Sequence, residues 1–188
     1  MAQPTSENVC VERHVEYPYD VWADSMNAVQ RKRLVALFAP VLPTDRLLDV
    51  GCNSGYAVEF APRGCEVWGV DVSPALVAKA RAKLAGAEVA RAEFLPFDDQ
   101  TFDVVALGEI LEHVFDPRDV LAEATRVARR LIIGSTPHED GAWGAHRVAT
   151  HPFHVRCYTR STLRDDLSTV GAPTITEVPH MYIFRVTL

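Results

Sequence analysis

The sequence lacks several features that would assign the chain to a class of proteins directly. It has no apolar run of about 18 residues, the length that a membrane-spanning helix needs. Its start, MAQPTSENVC, lacks the basic and then apolar order of a secretory signal. Its four cysteines include no C-x-x-C pair, which argues against a disulfide framework and against a zinc knuckle. We therefore expect a cytoplasmic protein with free thiols and no membrane partner.

Positive charge is also scarce. The 19 Lys and Arg residues face 25 Asp and Glu residues, which gives a net charge of −6. A nucleic-acid partner is therefore not expected, because such binding calls for a basic surface. The stretch 141–164 is the exception, since it contains arginines and histidines but no acid. It predicts either a site for an anionic ligand or an arginine-rich solvated surface.

Apolar strands alternate with helical segments along most of the chain. Strands without polar alternation are typical of a parallel sheet that is covered on both faces. The last two strands predict an antiparallel hairpin. The predicted fold is therefore α/β, a Rossmann-like sheet of seven mostly parallel strands with helices on both faces. Strands are expected near 47–50, 65–72, 88–92, 102–110, 130–137, 175–178 and 182–188.

Start and stop signals divide the helices. Ser73-Pro74 and Asp116-Pro117 are typical N-cap and first-turn pairs, and Thr159 predicts a third cap. Gly86 is expected to end the helix that starts at Pro74. The segment from His138 to Tyr158 is irregular, and a loop of that length in a small domain is usually functional.

The length of 188 residues and the 48% hydrophobic content predict one domain over 1–188, whose oligomeric state the sequence leaves open. Residues 1–19 are polar and are expected to be mobile. Residues 20–43 carry apolar side chains at helical spacing and predict a lid or a cover for the edge of the sheet. Residues 44–188 are expected to form the Rossmann-like core.

The segment LLDVGCNSGY, residues 47–56, predicts a buried strand, a tight turn and the start of a helix. Gly51 and Gly55 permit backbone angles that let a ligand approach the main chain. Asp71 ends the second strand, and a carboxylate there can accept hydrogen bonds from both hydroxyls of a ribose. The expected ligand is therefore a nucleoside.

Dinucleotides and nucleoside triphosphates fit this turn less well. Asn53 and Tyr56 occupy the second and third glycine positions of G-x-G-x-x-G, where pyrophosphate needs close backbone approach. The G-x-x-x-x-G-K-[ST] pattern of a P-loop is absent.

Three segments, DVGCNSGY, LPFDDQTFDVV and GEILEHVFDPRDVLAEATRVARRLIIGSTP, together resemble the class I S-adenosylmethionine-dependent methyltransferases. The likeness covers about Arg46 to Pro137 and is greatest to the small-molecule branch that includes ubiquinone-pathway O-methyltransferases. It implies a methyltransferase (EC 2.1.1.-) with S-adenosylmethionine as cofactor and S-adenosylhomocysteine as product. The cofactor-binding positions that it implies are Asp49, Gly51, Cys52, Asn53, Gly55, Tyr56, Asp71, Val72, Glu93, Phe94, Gly108 and Glu109.

One position departs from the family pattern. An acid after the third strand often contacts the adenine amine, usually within G-D-A-E-x-L-P-F, whereas this chain has A-R-A-E-F-L-P-F with Arg91. Glu93 or backbone groups near Phe94 are therefore expected to serve adenine, unless packing alone holds it. Arg91 is also the feature that favours a protein that binds the cofactor without catalysis.

Methyl transfer from a sulfonium requires alignment of the acceptor and, for a hydroxyl, a base. The candidate bases are His113, His138 and His154, with His151 in the same loop, because imidazole titrates near neutral pH. In HVRCYT, His154 and Arg156 either bridge the loop to the sheet or bind an anionic group of the acceptor. The expected acceptor is a small molecule, first at oxygen, with nitrogen and carbon open.

Glu109, Glu112 and His113 form E-x-x-E-H, and His154 follows downstream. If these four side chains converge, they can hold Mg²⁺, Mn²⁺ or Zn²⁺, which would acidify a diol. The set resembles that of small-RNA 3′-terminal 2′-O-methyltransferases and of metal-assisted quinone-precursor enzymes, so RNA-end methylation is the alternative function. In metal-free relatives the Glu contacts the cofactor and the His is structural, and the sequence favours that interpretation.

Overall fold

Seven strands form a single sheet in the order β3-β2-β1-β4-β5-β7-β6. This computed structural model describes residues 28–138 and 154–188. The predictions for residues 1–27 and for most of the His138–Tyr158 loop, including His151, lie outside these ranges. Within them, none of the helices combines the length and the apolar character that crossing a membrane requires.

The elements follow the predicted alternation of strand and helix. Two short 3₁₀ turns, Tyr56–Glu59 and Leu111–His113, follow β1 and β4. The strands are β1 (Arg46–Val50), β2 (Glu66–Asp71), β3 (Gly86–Val89), β4 (Phe102–Gly108), β5 (Ala128–Pro137), β6 (Ala172–Val178) and β7 (Met181–Thr187). The helices of the described ranges are α1 (Ala28–Phe38), α2 (Pro74–Ala80), α3 (Pro117–Val127) and α4 (Arg160–Leu167).

Strands β1 to β5 run parallel, and β7 pairs antiparallel with both β5 and β6. The predicted fold class is therefore confirmed. Asp49 lies level with Gly69 of β2 and with Ala106 of β4. The carboxyl ends of β1, β2 and β4 consequently meet at one edge of the sheet, which is where ligands of such sheets bind.

Two apolar layers cover the sheet. Leu34, Leu37 and Phe38 of α1 share one layer with residues of α2. Helices α3 and α4 contribute Leu121 and Leu163 to the layer on the other face. Helix α1 packs on β5 and β7, so the predicted N-terminal helix covers the sheet over its described residues.

The predicted caps are formed. Ser73 accepts a hydrogen bond from the backbone N–H of Leu76 at 3.4 Å, and Asp116 accepts one from Arg118 at 3.0 Å. Thr159 and Thr162 bond to each other's backbone N–H groups in a capping box. Each cap satisfies a backbone donor that the first turn of a helix leaves open.

The prediction that Gly86 ends a helix is wrong. Helix α2 ends at Ala80, and Gly86 is the first residue of β3. A side chain at this position would place its Cβ 2.4 Å from the ring of Trp68 on the neighbouring strand. Glycine is required here by a contact between strands, which a local stop signal does not reveal. The third strand also ends earlier than expected, at Val89.

We predict that Gly86→Ala lowers the free energy of unfolding by about 1–3 kcal/mol, the usual cost of overpacking. The indole of Trp68 cannot move freely, because its N–H donates to Glu66 at 2.7 Å. Gly108→Ala is the matched control, since its Cβ would meet Leu37 at an ordinary 3.6 Å. Urea unfolding of both variants measures the difference, and equal stabilities would contradict the explanation.

Candidate functional site

A cavity of about 280 Å³ opens at the carboxyl edge of the sheet. Nine of the twelve expected cofactor-binding positions line it, together with four residues of α1. The nine are Asp49, Gly51, Asn53, Tyr56, Asp71, Val72, Glu93, Gly108 and Glu109. The ends of β1, β2 and β4 thus bring together residues that are far apart in the sequence.

The other three expected positions do not line the cavity. Cys52 is fully buried beneath the turn and faces Gly69, where an added Cβ would lie 2.6 Å from the cysteine sulfur. Gly55 lies against α2, where an added Cβ would be 3.1 Å from the Cα of Ala80. Phe94 is 72% exposed. Cys52 and Gly55 support the turn on the side opposite the cavity, and the exposed side chain of Phe94 does not reach the cavity.

The turn after β1 depends on left-handed backbone angles. Gly51, Asn53 and Gly55 have φ values of 75°, 51° and 80°. A Cβ on Gly51 would also lie 2.2 Å from the side chain of Ile110. Glycine serves here both for its backbone freedom and for the close approach of its neighbours, and asparagine is among the few other residues that tolerate this region.

Asp71 holds this turn in place. One oxygen of its carboxylate accepts the backbone N–H of Asn53 at 2.9 Å, and the other accepts that of Ser73 at 2.9 Å. Each carboxylate oxygen has a second lone-pair site. Any ligand that reaches this carboxylate shares it with these two N–H groups.

Asp49 is a buried carboxyl group at the end of β1 that faces the cavity. Its pKa is raised to about 7, chiefly by burial and further by the charge of Asp71. The group is therefore partly protonated at neutral pH. A cation that entered the cavity would favour its charged form.

Arg91 and Glu93 form an ion pair at the end of the cavity beyond β3, with nitrogen and oxygen 3.2 Å apart. Both residues line the cavity beside Ala90 and Ala92. Glu93 therefore already has a partner in the residue that departs from the family pattern. Backbone groups near Phe94 and apolar packing stay the other two expected supports for an adenine base.

Sequence reasoning missed Arg33. This residue of α1 is 8% exposed, lines the cavity and forms an ion pair with Glu109. Glu109 follows β4 with a φ of 56°, and its N–H donates to the carbonyl of Ser135 at 2.8 Å. The available signal was that Arg33 shares a helix face with Leu37, four residues later. An arginine on an apolar face indicates a buried partner.

Glu112, His113 and His154 are close together, each offering one ligand atom within 4.8 Å of the others. The two imidazole rings lie edge to face, with centroids 4.9 Å apart. Glu112 is 1% exposed, and one of its oxygens accepts the hydroxyl of Thr136 at 3.2 Å. The other oxygen has no hydrogen-bond partner among the described residues. Burial and the charge of Glu109 hold the pKa of Glu112 well above its usual range.

The other expected polar residues lie elsewhere. Glu109 is outside this cluster and faces Arg33. His138 does not line the cavity, and its ring stacks on His180 with centroids 6.5 Å apart. Ser135 is the residue of β5 that lines the cavity, and His138 comes three positions later, just after the strand ends.

Arg156 links the segment after β4 to helix α4. Its guanidinium donates to the carbonyls of Val114 and Phe115 and lies 3.5 Å from a carboxylate oxygen of Asp166. Arg160 donates to the carbonyl of Ile175 at 2.7 Å. Two of the four arginines in the acid-free stretch are thus engaged within the fold, which weakens the expectation of an anion site there.

Comparison with known proteins finds similarity to the same family. Residues 48–131 match the family model described as "Methyltransferase domain". A "Ubiquinone biosynthesis O-methyltransferase" from Hahella chejuensis is 40% identical over 96 residues, which are 47% of this chain and 40% of that protein. The first curated relatives are matched over 40% and 51% of their own length, so the chain spans about half of them.

Solved structures share the fold. A 1,6-didemethyltoxoflavin-N1-methyltransferase from Burkholderia thailandensis is 20% identical with a TM-score of 0.74, over 100% of this chain and 92% of that one. An S-adenosylmethionine-dependent methyltransferase from Thermotoga maritima gives 0.73 at 20% identity, over 95% and 98% of the two chains. The family-model match and the curated relatives agree with the resemblance that the motifs indicate, and the solved structures share its fold.

We predict that Asp49→Asn stabilises the protein without ligand at pH 8 but not at pH 4. The folded state holds the Asp49 proton up to a pKa of about 7, against 3.8 for an ordinary Asp. Raising the pH from 4 to 7 therefore removes stability, and above pH 7 the full cost, on the order of 2–4 kcal/mol, is present. Asparagine avoids this cost because it carries no charge. Urea unfolding at both pH values measures the gain.

Asp103→Asn is the control with the opposite sign. Hydrogen bonds and the charges of nearby arginines lower the pKa of Asp103. Its carboxylate therefore adds stability above its ordinary pKa, and its removal should cost stability at pH 8. A pH-independent effect of Asp49→Asn would contradict the buried, high-pKa carboxyl.

Proposed function

We propose that this chain, whose residues 48–131 match a methyltransferase domain, is a class I S-adenosylmethionine-dependent enzyme that transfers a methyl group to a small-molecule acceptor, in the first place at oxygen. The observation that carries the proposal is the shared cavity of Asp49, the glycine turn and Asp71. Along one edge of the sheet the cavity presents the buried carboxyl group of Asp49, a turn whose backbone a ligand can approach closely, and the carboxylate of Asp71.

Each end of the cavity suits a different part of the cofactor. Asp71 would accept the ribose hydroxyls on the carboxylate that also binds the N–H groups of Asn53 and Ser73, and the Ala90 to Ala92 segment would pack on adenine. Asp49 would attract the ammonium of the methionine part. Bound there, the cofactor supplies an electrophilic methyl group, and the residues of this chain orient it and exclude water.

The acceptor would lie beside His113 and His154, which line the cavity, whereas His138 does not. Either imidazole could take the proton of a hydroxyl as the methyl group is transferred. Oxygen is favoured by the name of the ubiquinone-pathway relative, which is 40% identical over 47% of this chain.

We predict that S-adenosylhomocysteine binds the wild-type protein and that Asp71→Asn weakens its binding about 10- to 100-fold, because charge-assisted hydrogen bonds are lost. Glu66→Gln is the matched control, since Glu66 starts the strand that Asp71 ends and does not line the cavity. Titration calorimetry measures both. Absence of binding to the wild type would reject the proposal. Binding without methyl transfer across a broad acceptor panel would leave only a cofactor-binding protein.

A metal-assisted reaction, as in RNA-end methylation, is the second candidate, and the Glu112, His113 and His154 cluster favours it. One carboxylate and two imidazoles suit Mn²⁺ or Zn²⁺, and a metal there would bind an acceptor oxygen and lower its pKa. The fit is partial, because Glu109 is paired with Arg33 and Glu112 favours its neutral form. We therefore place the metal-free reaction first.

We predict that neither Mn²⁺ nor Zn²⁺ binds this cluster stoichiometrically, because forming the site would require ionising the buried Glu112. Elemental content of the purified protein and metal titration calorimetry measure this, with Glu112→Gln as the matched variant. Stoichiometric binding that Glu112→Gln abolishes would contradict the prediction. Salt-sensitive retention of RNA would then favour the second candidate.

A further inference from the structure

Two segments that are far apart in the chain form the end of the cavity that is proposed for the acceptor. The first is the turn after β4, where His113, Val114 and Phe115 line the cavity. The second begins at His154, which also lines it. Neither segment is part of a strand, so strand pairing does not hold them together. The shape of this end of the cavity therefore depends on other contacts between the two segments.

The backbone of the second segment binds the carbonyl group of Glu112. The N–H groups of Val155 and Arg156 donate to this oxygen at 2.9 and 3.4 Å. The contact brings His154 against the turn, where the centroids of its ring and of the His113 ring are 4.9 Å apart. One carbonyl group fixes the separation of the segments at one point only, so their orientation requires further contacts.

The side chain of Arg156 supplies these further contacts. Its Nε donates to the carbonyl of Val114 at 3.2 Å, and its Nη2 donates to the carbonyl of Phe115. Its Nη1 lies 3.5 Å from the carboxylate of Asp166 on α4, which also accepts the hydroxyl of Tyr158 at 3.1 Å. All three guanidinium nitrogens are thus engaged, and Arg156 itself does not line the cavity.

We propose that Arg156 is a positioning residue for the methyl acceptor, an inference that rests on the proposed function. It holds the wall formed by Val114 and Phe115 in a fixed place relative to the imidazole of His154, and the acceptor binds beside both. A guanidinium suits this role because its planar fork of donors fixes directions as well as distances.

The effect of Arg156 is confined to one end of the cavity. Its side-chain contacts go to the turn after β4 and to α4. The carboxyl groups that are proposed to bind the cofactor, Asp49 and Asp71, belong to β1 and β2. Loss of Arg156 should therefore misplace the acceptor and leave the cofactor in place. A misplacement of about 1 Å can cost on the order of 100-fold in rate.

The first experiment measures the contact between the two segments by NMR in the protein without ligand. Rings whose centroids are 4.9 Å apart should give cross-peaks between their ring protons, so we expect them between His113 and His154 in the wild type. Arg156→Gln should lose these cross-peaks. Arg156→Lys should keep part of their intensity, because an ammonium retains the charge but lacks the fork.

The second experiment separates the acceptor from the cofactor, with catechol and phenol as acceptor probes. In Arg156→Gln the kcat/KM for the better probe should fall about 10- to 100-fold. The affinity for S-adenosylhomocysteine, measured by calorimetry, should not change. A residue that only supports the fold would lower both quantities.

Arg160→Gln is the matched control. Arg160 also donates to a backbone carbonyl, that of Ile175 at 2.7 Å, but this carbonyl belongs to β6 and neither residue lines the cavity. Its replacement should leave the cross-peaks and kcat/KM unchanged. Asp166→Asn is the second variant if Arg156→Gln does not fold. It removes the charge that anchors the guanidinium, keeps an oxygen for the Tyr158 hydroxyl, and should weaken the same cross-peaks.

Four results would overturn the inference. Cross-peaks that persist in Arg156→Gln would show that the segments do not need this side chain. An unchanged kcat/KM, or an equal loss of cofactor affinity, would remove its selective effect on the acceptor. A wild type that binds S-adenosylhomocysteine but methylates neither probe would remove the assignment of this end to a hydroxyl acceptor. Failure of the wild type to bind S-adenosylhomocysteine would instead reject the proposed function, while the cross-peaks would still report the contact.

Discussion

The carboxylate of Asp71 is the interaction on which the rest of the site depends. By accepting the N–H groups of Asn53 and Ser73, it joins the turn after β1 to the start of α2. Parallel pairing of β1 and β2 brings the two segments to the same edge, and the carboxylate fixes their separation. The cavity between them is therefore built into the fold, and its shape does not await a ligand.

The site concentrates buried acids where they destabilise the unliganded protein. Asp49 and Glu112 both have raised pKa values because burial disfavours their charged forms. The charge of Arg33 offsets part of this cost at Glu112, because it favours the ionised form of that group. A ligand that carries positive charge would offset more, so stability and binding are linked through the same side chains. The binding of a cationic ligand is therefore expected to stabilise the folded protein.

Local signals predicted much of the fold. The caps at Ser73 and Thr159 were readable because a cap is a contact between residues three apart in sequence. The family pattern placed nine of twelve cofactor positions on the cavity, because turns at strand ends are also local. Gly86 was misassigned because the need for glycine there comes from the ring of Trp68 on another strand.

Longer-range contacts set the limits of that prediction. Arg33 escaped because its partner Glu109 lies 76 positions later in the chain, and only the packing of α1 on the sheet brings them together. Phe94 is 72% exposed, so a role for this position would rest on its backbone, as the motif leads us to expect. Sequence patterns do not show which distant elements face each other.

The proposed ligand is a nucleoside whose ammonium would meet Asp49, and proton release on binding tests this contact most directly. Calorimetry with S-adenosylhomocysteine at pH 6.5, in two buffers of different ionisation enthalpy, counts the protons exchanged. A group with a pKa of about 7 that pairs with an ammonium should lose its proton, so the account predicts binding with net release from the wild type that Asp49→Asn abolishes. Binding without proton release, or no binding at all, would contradict it.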